Sequence, residues 1–270
     1  MINKVFYKAL AVMIEKETGI VYSESDYDRL TFRVVKLKEL LKVSTDDELL
    51  KVLQNSPSSN VQSLLVSTST NNETSFFRAK KPFDILANHI IPEILKSKTS
   101  KHIKIWSVAS STGQEPYSLA MKVKDTASFS DCLVEIKASD IDHEVLLKCK
   151  AGIYNQAEIQ RGLPIQFLTK YFDQIDLTTW SINNQIKSMI NFFHFNLLSG
   201  SYPANEYDII FCRNVLIYQS LENKTKVINN LFNSLKPKGF LVLGGAENLI
   251  GIKSNFKTVI FDDFVVYLKE

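Results

Sequence analysis

Residues 103–124, IKIWSVASSTGQEPYSLAMKVK, contain a change from one hydrophobic pattern to another. Apolar side chains crowd residues 103–109 as they do in a buried strand, and they recur at helical spacing over residues 114–124. The residues between these segments are small, so a ligand can approach the backbone closely there. A strand, a short loop and a helix in this order predict the first unit of an α/β sheet, with a ligand site at the loop.

Strand-like and helix-like segments continue to alternate toward the C-terminus, which predicts a mostly parallel sheet covered on both faces. The predicted strands are 103–109, 133–139, 188–195, 207–212 and 240–244, the predicted helices are 114–124, 142–150 and 221–235, and a closing antiparallel hairpin is predicted at 256–268. Residues from about 155 to 190 fit no strand–helix repeat, and we predict that they form a small antiparallel β insertion.

The residues before this region carry a different pattern. Residues 1–68 contain only helical patterns, such as the stripe of Leu30, Val34 and Leu37, and predict an all-α N-terminal domain. The polar residues 69–80 predict a linker. The α/β domain then spans residues 81–270.

Composition limits the classes of function. The chain has 270 residues, 45% of them hydrophobic and 23% charged, which excludes intrinsic disorder and a coiled coil. Its net charge of +3 is too small to imply that the whole protein binds nucleic acid or a membrane electrostatically. Three cysteines without a CxxC motif predict a reduced, cytoplasmic protein. Its four histidines form neither HxH nor HExxH, so no metal site is expected.

Two acidic residues follow the first two predicted strands. The loop before Glu115 contains one glycine and is not GxGxxG, which argues against a dinucleotide. Glu115 suits a ligand ammonium group, or it complements the dipole of its own helix. Asp140 ends the second strand and suits ribose hydroxyls, or it caps the helix that follows. A ribose and an ammonium group without a phosphate loop favour S-adenosylmethionine over NAD or ATP.

Polar side chains elsewhere offer hydrogen-bond donors. Arg213, Asn214 and Tyr218 follow the fourth strand, where they suit an anionic or oxygen acceptor. Alternatively, Arg213 pairs with a nearby acid and Tyr218 is half-buried packing. Arg78 could bind a carboxylate with its bidentate fork, or it is a surface arginine beside a domain-interface anchor.

Five motifs, taken in order, resemble the CheR family, the glutamate O-methyltransferases of bacterial chemotaxis receptors. They are NETSFFR at 72–78, WSVASSTGQEPYS at 106–118, ASDID at 138–142, FCRNVLIY at 211–218 and LKPKG at 235–239. The resemblance spans nearly the whole chain. It implies a Rossmann-like methyltransferase sheet with a β insertion behind a helical N-terminal domain. It also implies S-adenosylmethionine as methyl donor and S-adenosylhomocysteine as product.

The resemblance further implies roles for individual residues. Glu115 would take the methionine ammonium, Asp140 the ribose hydroxyls, and Asn196 and Leu197 would flank the adenine. The cofactor-binding residues that it implies are Asn72, Thr74, Arg78, Ala109, Glu115, Asp140, Asn196, Leu197, Arg213 and Asn214. The linker 69–80 would therefore contribute to the cofactor site. We expect Arg78 and Tyr218 to be catalytic, by orienting the acceptor carboxylate.

A basic stripe suggests how a substrate would dock. Arg29, Arg33 and Lys36 share one helix face, either as a solvated surface or as a docking site. The resemblance implies the cytoplasmic helical bundle of chemotaxis receptors as partner, and this bundle is acidic, so we predict that residues 1–68 dock on it. We expect a cytoplasmic monomer, recruited to receptor arrays at the membrane, that neither inserts into the membrane nor binds nucleic acid.

The β insertion departs from the pattern of some CheR proteins. Some CheR proteins hold a receptor's C-terminal peptide tether in the β insertion with a glycine-containing loop, but this chain has no glycine between Leu163 and Phe195, so we do not predict a tether site. One alternative is a methyltransferase that acts on RNA or on another protein. The other is an inactive interaction protein that keeps the cofactor as a structural ligand.

Overall fold

The computed structural model describes residues 3–55 and 59–270. Among these residues, the N-terminal part contains four α-helices: α1 (Lys4–Thr18), α2 (Tyr27–Leu41), α3 (Asp46–Asn55) and α4 (Ser59–Ser69). The Asn3 side chain caps the start of α1, and Gly19 ends the helix with a φ of 77°. Apolar stripes from all four helices form one core, which includes Leu10, Leu30 and Leu49.

The second part alternates helices and strands, as its sequence pattern predicts. Its helices are α5 (Lys81–Ile85), α6 (Ile91–Ser97), α7 (Gln114–Asp125), α8 (His143–Ala151), α9 (Gln156–Gln160), α10 (Ile165–Tyr171), α11 (Asn184–Lys187) and α12 (Leu221–Ser234). Its strands are β1 (His102–Val108), β2 (Leu133–Asp140), β3 (Ile153–Asn155), β4 (Phe172–Gln174), β5 (Thr179–Ile182), β6 (Ile190–His194), β7 (Tyr207–Cys212), β8 (Leu235–Leu243), β9 (Lys257–Phe261) and β10 (Phe264–Leu268). A π-helical turn, Leu86–Ile90, joins α5 to α6.

Seven strands form the main sheet in the order β6-β2-β1-β7-β8-β10-β9. The first five run parallel, and β10 adds antiparallel to β8 and to β9. From β1 the chain adds β2 and β6 on one side and then returns to place β7 on the other. The strand order therefore reverses between β1 and β7, and the carboxyl ends of these strands frame a crevice in which such sheets bind ligands.

The β insertion is a second, antiparallel sheet in the order β3-β5-β4. Two linker phenylalanines anchor it to the main domain. The Phe76 ring meets the rings of Tyr154 and Phe172 edge to face, and the Phe77 ring stacks on that of Phe167. Both phenylalanines are buried and belong to the core of the main domain.

No helix within residues 3–55 and 59–270 is both long and apolar enough to cross a membrane.

Candidate active site

The residues that the sequence singled out for ligand contact line one cleft at the carboxyl ends of β1, β2 and β7. They are Asn72, Thr74, Arg78, Ala109, Glu115, Asp140, Asn196, Leu197, Arg213, Asn214 and Tyr218. The cleft holds about 980 Å³, including the solvent at its mouth. Parallel strands bring their loops to this edge, although the residues are spread over nearly 150 positions of the chain.

The loop between β1 and α7 has an unusual backbone. Ala109, Ser111 and Gly113 have φ values of 52°, 50° and 96°. Positive φ is uncommon for alanine and serine, and such conformations cluster at ligand sites where neighbours hold them. Here the Ser111 N–H donates to Asp140 Oδ2 at 2.8 Å, and its hydroxyl donates to the Asn72 carbonyl at 2.8 Å. The loop, the end of β2 and the linker therefore support one another.

Asp140 is buried at the end of β2 and lines the cleft. Its carboxylate accepts from the backbone N–H groups of Ser111 and of Asp142, the latter at 3.0 Å. Burial raises the pKa of Asp140 to about 6, although these two hydrogen bonds act in the opposite direction. The helix α8 is capped by Asp142, which accepts from the Glu144 N–H at 2.9 Å. Asp140 is therefore not the cap of α8, the alternative that its sequence position left open.

Glu115 and Arg213 form a buried ion pair. Arg213 Nη1 donates to Glu115 Oε2 at 2.7 Å, its Nη2 donates to the Arg78 carbonyl at 2.7 Å, and the Ser107 hydroxyl donates to Glu115 Oε1 at 2.9 Å. The Arg213 side chain is only 2% exposed. Of the two interpretations of Arg213, the structure matches the ion pair with a nearby acid. Arg213 orients Glu115 and gives two of its donors to the protein, and Glu115 presents its carboxylate to the cleft.

The loop after β7 is held by a residue that the sequence analysis missed. The Glu247 carboxylate accepts from four backbone N–H groups at 2.6–3.0 Å, those of Asn214, Val215, Leu216 and Gly244. These bonds fix Asn214, which has a φ of 59°, beside the cleft. An acidic residue just after the strand predicted at 240–244 was the available signal, because that strand also ends at this edge.

The linker forms another wall. Asn72 Nδ2 donates to Asp142 Oδ2 at 3.0 Å, and Arg78 Nη1 donates to the Glu73 carbonyl at 3.0 Å. The Glu73 side chain is paired with Arg161 of the β insertion. Arg78 is half-buried and keeps the rest of its guanidinium group near the cleft that it lines.

The N-terminal helices also contribute to the cleft. Thr18 and Ile20 line it, and Ile20 forms a β-bridge with Gln219. Asn196 Nδ2 donates to the Glu17 carbonyl at 2.9 Å. The sequence of residues 17–20 contains no signal of a ligand site, because the position of these residues depends on how the N-terminal helices pack on the α/β part.

The basic stripe of α2 is not uniform. Arg29 and Lys36 are exposed, and Arg29 pairs with Asp26 at 3.3 Å. Arg33 is half-buried and donates from Nη1 to the carbonyls of Thr68 at 2.7 Å and Thr70 at 3.0 Å. Arg33 therefore also holds the end of α4 and the start of the linker, and receptor docking by the three residues stays a prediction.

The hydrogen-bond acceptors of the cleft fit S-adenosylmethionine. Carboxylates repel phosphate groups, whereas they accept hydrogen bonds from ribose hydroxyls and from an ammonium group. Glu115 and Asp140 present two such carboxylates at the switch point of a mostly parallel sheet. This fold and this site define a methyltransferase that uses S-adenosylmethionine.

Comparisons with known proteins identify the family. The family described as CheR methyltransferase, SAM binding domain, matches residues 72–265. Chemotaxis protein methyltransferase Cher2 of Pseudomonas putida is 33% identical over 265 residues, 97% of this chain and 96% of that protein. The chemotaxis protein methyltransferase of Vibrio anguillarum is 36% identical over 264 residues, 97% and 95% of the two chains. That of Escherichia coli is 30% identical over 254 residues, 93% and 86%. The chain belongs to the CheR family of chemotaxis protein methyltransferases.

Proposed function

We propose that the protein transfers a methyl group from S-adenosylmethionine to glutamate side chains of chemotaxis receptors and forms glutamate methyl esters. The observation that carries this proposal is the composition of the cleft. The carboxylates of Glu115 and Asp140 share it with the donor groups of Arg78 and Tyr218. Methyltransferases that act on amines often place an (Asp/Asn)-Pro-Pro-Tyr motif after the fourth strand, and residues 211–218 read FCRNVLIY instead. Donors at this position suit an anionic oxygen acceptor.

The cofactor side of the cleft is assigned to the residues at the ends of β1 and β2. Glu115, held by Arg213 and Ser107, would take the methionine ammonium, and Asp140 would accept from the ribose hydroxyls. Asn196 and Leu197 would flank the adenine. Bound S-adenosylmethionine supplies a methyl group on a positively charged sulfonium, and transfer to the glutamate oxygen leaves S-adenosylhomocysteine.

The acceptor side needs alignment more than it needs a base. A glutamate carboxylate with a pKa of about 4.3 is already ionised at neutral pH. Holding its oxygen in line with the methyl group can supply roughly 7–11 kcal/mol of the barrier. We assign this task to Arg78 and Tyr218. Donation to the carboxylate oxygen that does not attack keeps the other oxygen nucleophilic.

The N-terminal part, residues 1–68, is assigned to receptor docking. Arg29 and Lys36 present exposed positive charge on α2, and the proposed partner, the cytoplasmic helical bundle of a chemotaxis receptor, is acidic. Complementary charges of this kind act mainly on the association rate and its salt dependence. We propose that the enzyme works as a cytoplasmic monomer recruited to receptor arrays.

Transfer from radiolabelled S-adenosylmethionine to receptor-containing membranes tests this proposal. We expect base-labile, volatile counts on the receptor bands, as a carboxyl methyl ester requires. Arg78→Ala should reduce the counts strongly, and a variant with near-normal turnover would remove Arg78 from catalysis. Base-stable label, or label on RNA in place of receptor, would contradict the proposed substrate.

A further inference from the structure

A linker residue outside the family motif at 72–78 contacts the proposed catalytic tyrosine. Asn71 Nδ2 donates to the Tyr218 hydroxyl oxygen at 2.8 Å. We propose that Asn71 is a positioning residue that directs the Tyr218 hydroxyl proton toward the acceptor carboxylate. This inference rests on the proposed function, because it specifies how Tyr218 would serve the same reaction.

The direction of this hydrogen bond leaves the Tyr218 hydroxyl proton available. A tyrosine hydroxyl has one proton to donate and oxygen lone pairs that accept. Since the Asn71 amide occupies one lone pair as a donor, the Tyr218 proton cannot point at that amide and is free for another acceptor. Both side chains line the cleft. An anionic oxygen entering the cleft is the acceptor that this arrangement favours.

Both partners of this contact are held from the backbone. The Tyr218 carbonyl accepts from the Val21 N–H at 2.9 Å, and the adjacent Gln219 forms the bridge to Ile20. On the other side, Arg33 binds the carbonyl of Thr70, the residue just before Asn71. The hydrogen bond therefore connects two segments whose backbones are anchored, one from the linker and one from the loop after β7.

The same contact strengthens Tyr218 as a donor. A hydroxyl that accepts a hydrogen bond is polarised and donates more strongly in turn. A nearly isosteric substitution can reverse the donor and acceptor of this hydrogen bond. In Asn71→Asp, a carboxylate would accept the Tyr218 proton, turn it away from the cleft and add negative charge beside the incoming carboxylate.

Three variants distinguish this role from simple packing. We expect Asn71→Ala to lower kcat on receptor about tenfold, since one hydrogen bond is lost. Asn71→Asp should lower it about hundredfold, because the bond is reversed and charged. In the Tyr218→Phe background neither substitution should cause more than about a twofold further loss, since residues that act through one contact are not additive. Asn184→Asp, an exposed asparagine of α11 outside the cleft, is the matched control and should retain wild-type turnover.

A spectroscopic measurement separates failure of this inference from failure of the proposed function. With tyrosine labelled at Cζ, the Tyr218 resonance is identified by its absence in Tyr218→Phe. It should shift in Asn71→Ala and in Asn71→Asp and stay in place in Asn184→Asp. An unshifted resonance, or full additivity of the Asn71 and Tyr218 substitutions, would overturn the inference. An inactive wild-type enzyme with the expected shifts would overturn only the proposed substrate.

Discussion

At the scale of single residues, the ionisation of Asp140 is expected to make cofactor affinity depend on pH. Its pKa is raised to about 6 by burial, so its carboxyl group is partly protonated in mildly acidic solution. Ribose hydroxyls donate to the ionised form. We therefore expect S-adenosylmethionine to bind more weakly as the pH falls through 6, by about tenfold per unit below that value. Calorimetric titration from about pH 7.5 to about pH 5 measures this dependence.

The control for this prediction is Asp140→Asn. An amide keeps the size of the side chain and one acceptor oxygen but does not titrate in this range. We expect weak binding that no longer changes with pH over the same interval. A steep pH dependence that persists in Asp140→Asn would show that a group other than Asp140 is responsible.

Glu247 is the residue on which the loop after β7 depends. Glu247→Gln replaces one carboxylate oxygen by an NH₂ group, which would face backbone N–H donors in place of accepting from them. We expect the free energy of unfolding to fall by about 2–4 kcal/mol, as for the loss of buried bonds to a charged group. Denaturant unfolding measures it. Glu39→Gln, an exposed change of the same charge on α2, should alter stability by less than about 0.5 kcal/mol.

At the scale of elements, the residues of the basic stripe on α2 differ in what they contact. Arg29 and Lys36 are exposed, so Arg29→Ala and Lys36→Ala should raise the KM for receptor and reduce its salt dependence, with kcat nearly unchanged. Arg33 holds the linker beside Asn71, so Arg33→Ala should lower kcat at saturating receptor. Steady-state kinetics at two salt concentrations separate the two effects. Equal increases in KM from all three substitutions would show that Arg33 contributes to receptor docking in the same way as Arg29 and Lys36.

The loop between β1 and α7 depends on Gly113. Its φ is 96°, and a Cβ atom there would lie 2.9 Å from the Tyr154 hydroxyl oxygen. We expect Gly113→Ala to lower the free energy of unfolding by about 1–3 kcal/mol and to weaken S-adenosylmethionine binding, since the loop lies in the cleft. Gly245→Ala is the matched control, because nothing lies within 4 Å of its Cβ position. Thermal unfolding and calorimetry of both variants test this expectation.

Element boundaries show which local signals suffice. The strand predicted at 207–212 coincides with Tyr207–Cys212, because every residue of it is buried and apolar runs between turns are a strong signal. The strand predicted at 240–244 begins earlier, at Leu235. Its first residues were not predicted as strand because Lys236 and Lys238 interrupt the run of apolar residues. Between α5 and α6 the chain forms a π-helical turn at Leu86–Ile90, which hydrophobic spacing does not distinguish from an α-helix.

At the scale of the whole molecule, the main sheet and its cleft followed from local pattern, because strand ends converge in a parallel sheet whatever their distance in sequence. The sequence did not predict that Thr18 and Ile20 line the cleft, because their place depends on how the helical part packs on the sheet. The backbone contacts of Arg33 could not be predicted for the same reason, because spacing defines a helix face but not what lies against it. Glu247 was not predicted because it lies three residues beyond the strand predicted at 240–244, and its four backbone contacts form only when that loop folds against the end of β7.

The most direct test of the central claim locates the transferred methyl group. The wild-type enzyme and Tyr218→Phe are incubated with S-adenosylmethionine and the cytoplasmic fragment of a chemotaxis receptor, and the fragment is mapped by tandem mass spectrometry. We predict single-methyl mass gains on glutamate residues that alkaline hydrolysis removes, with much lower occupancy for Tyr218→Phe. Methyl groups on any other residue type, or none on a receptor that the enzyme binds, would contradict the account.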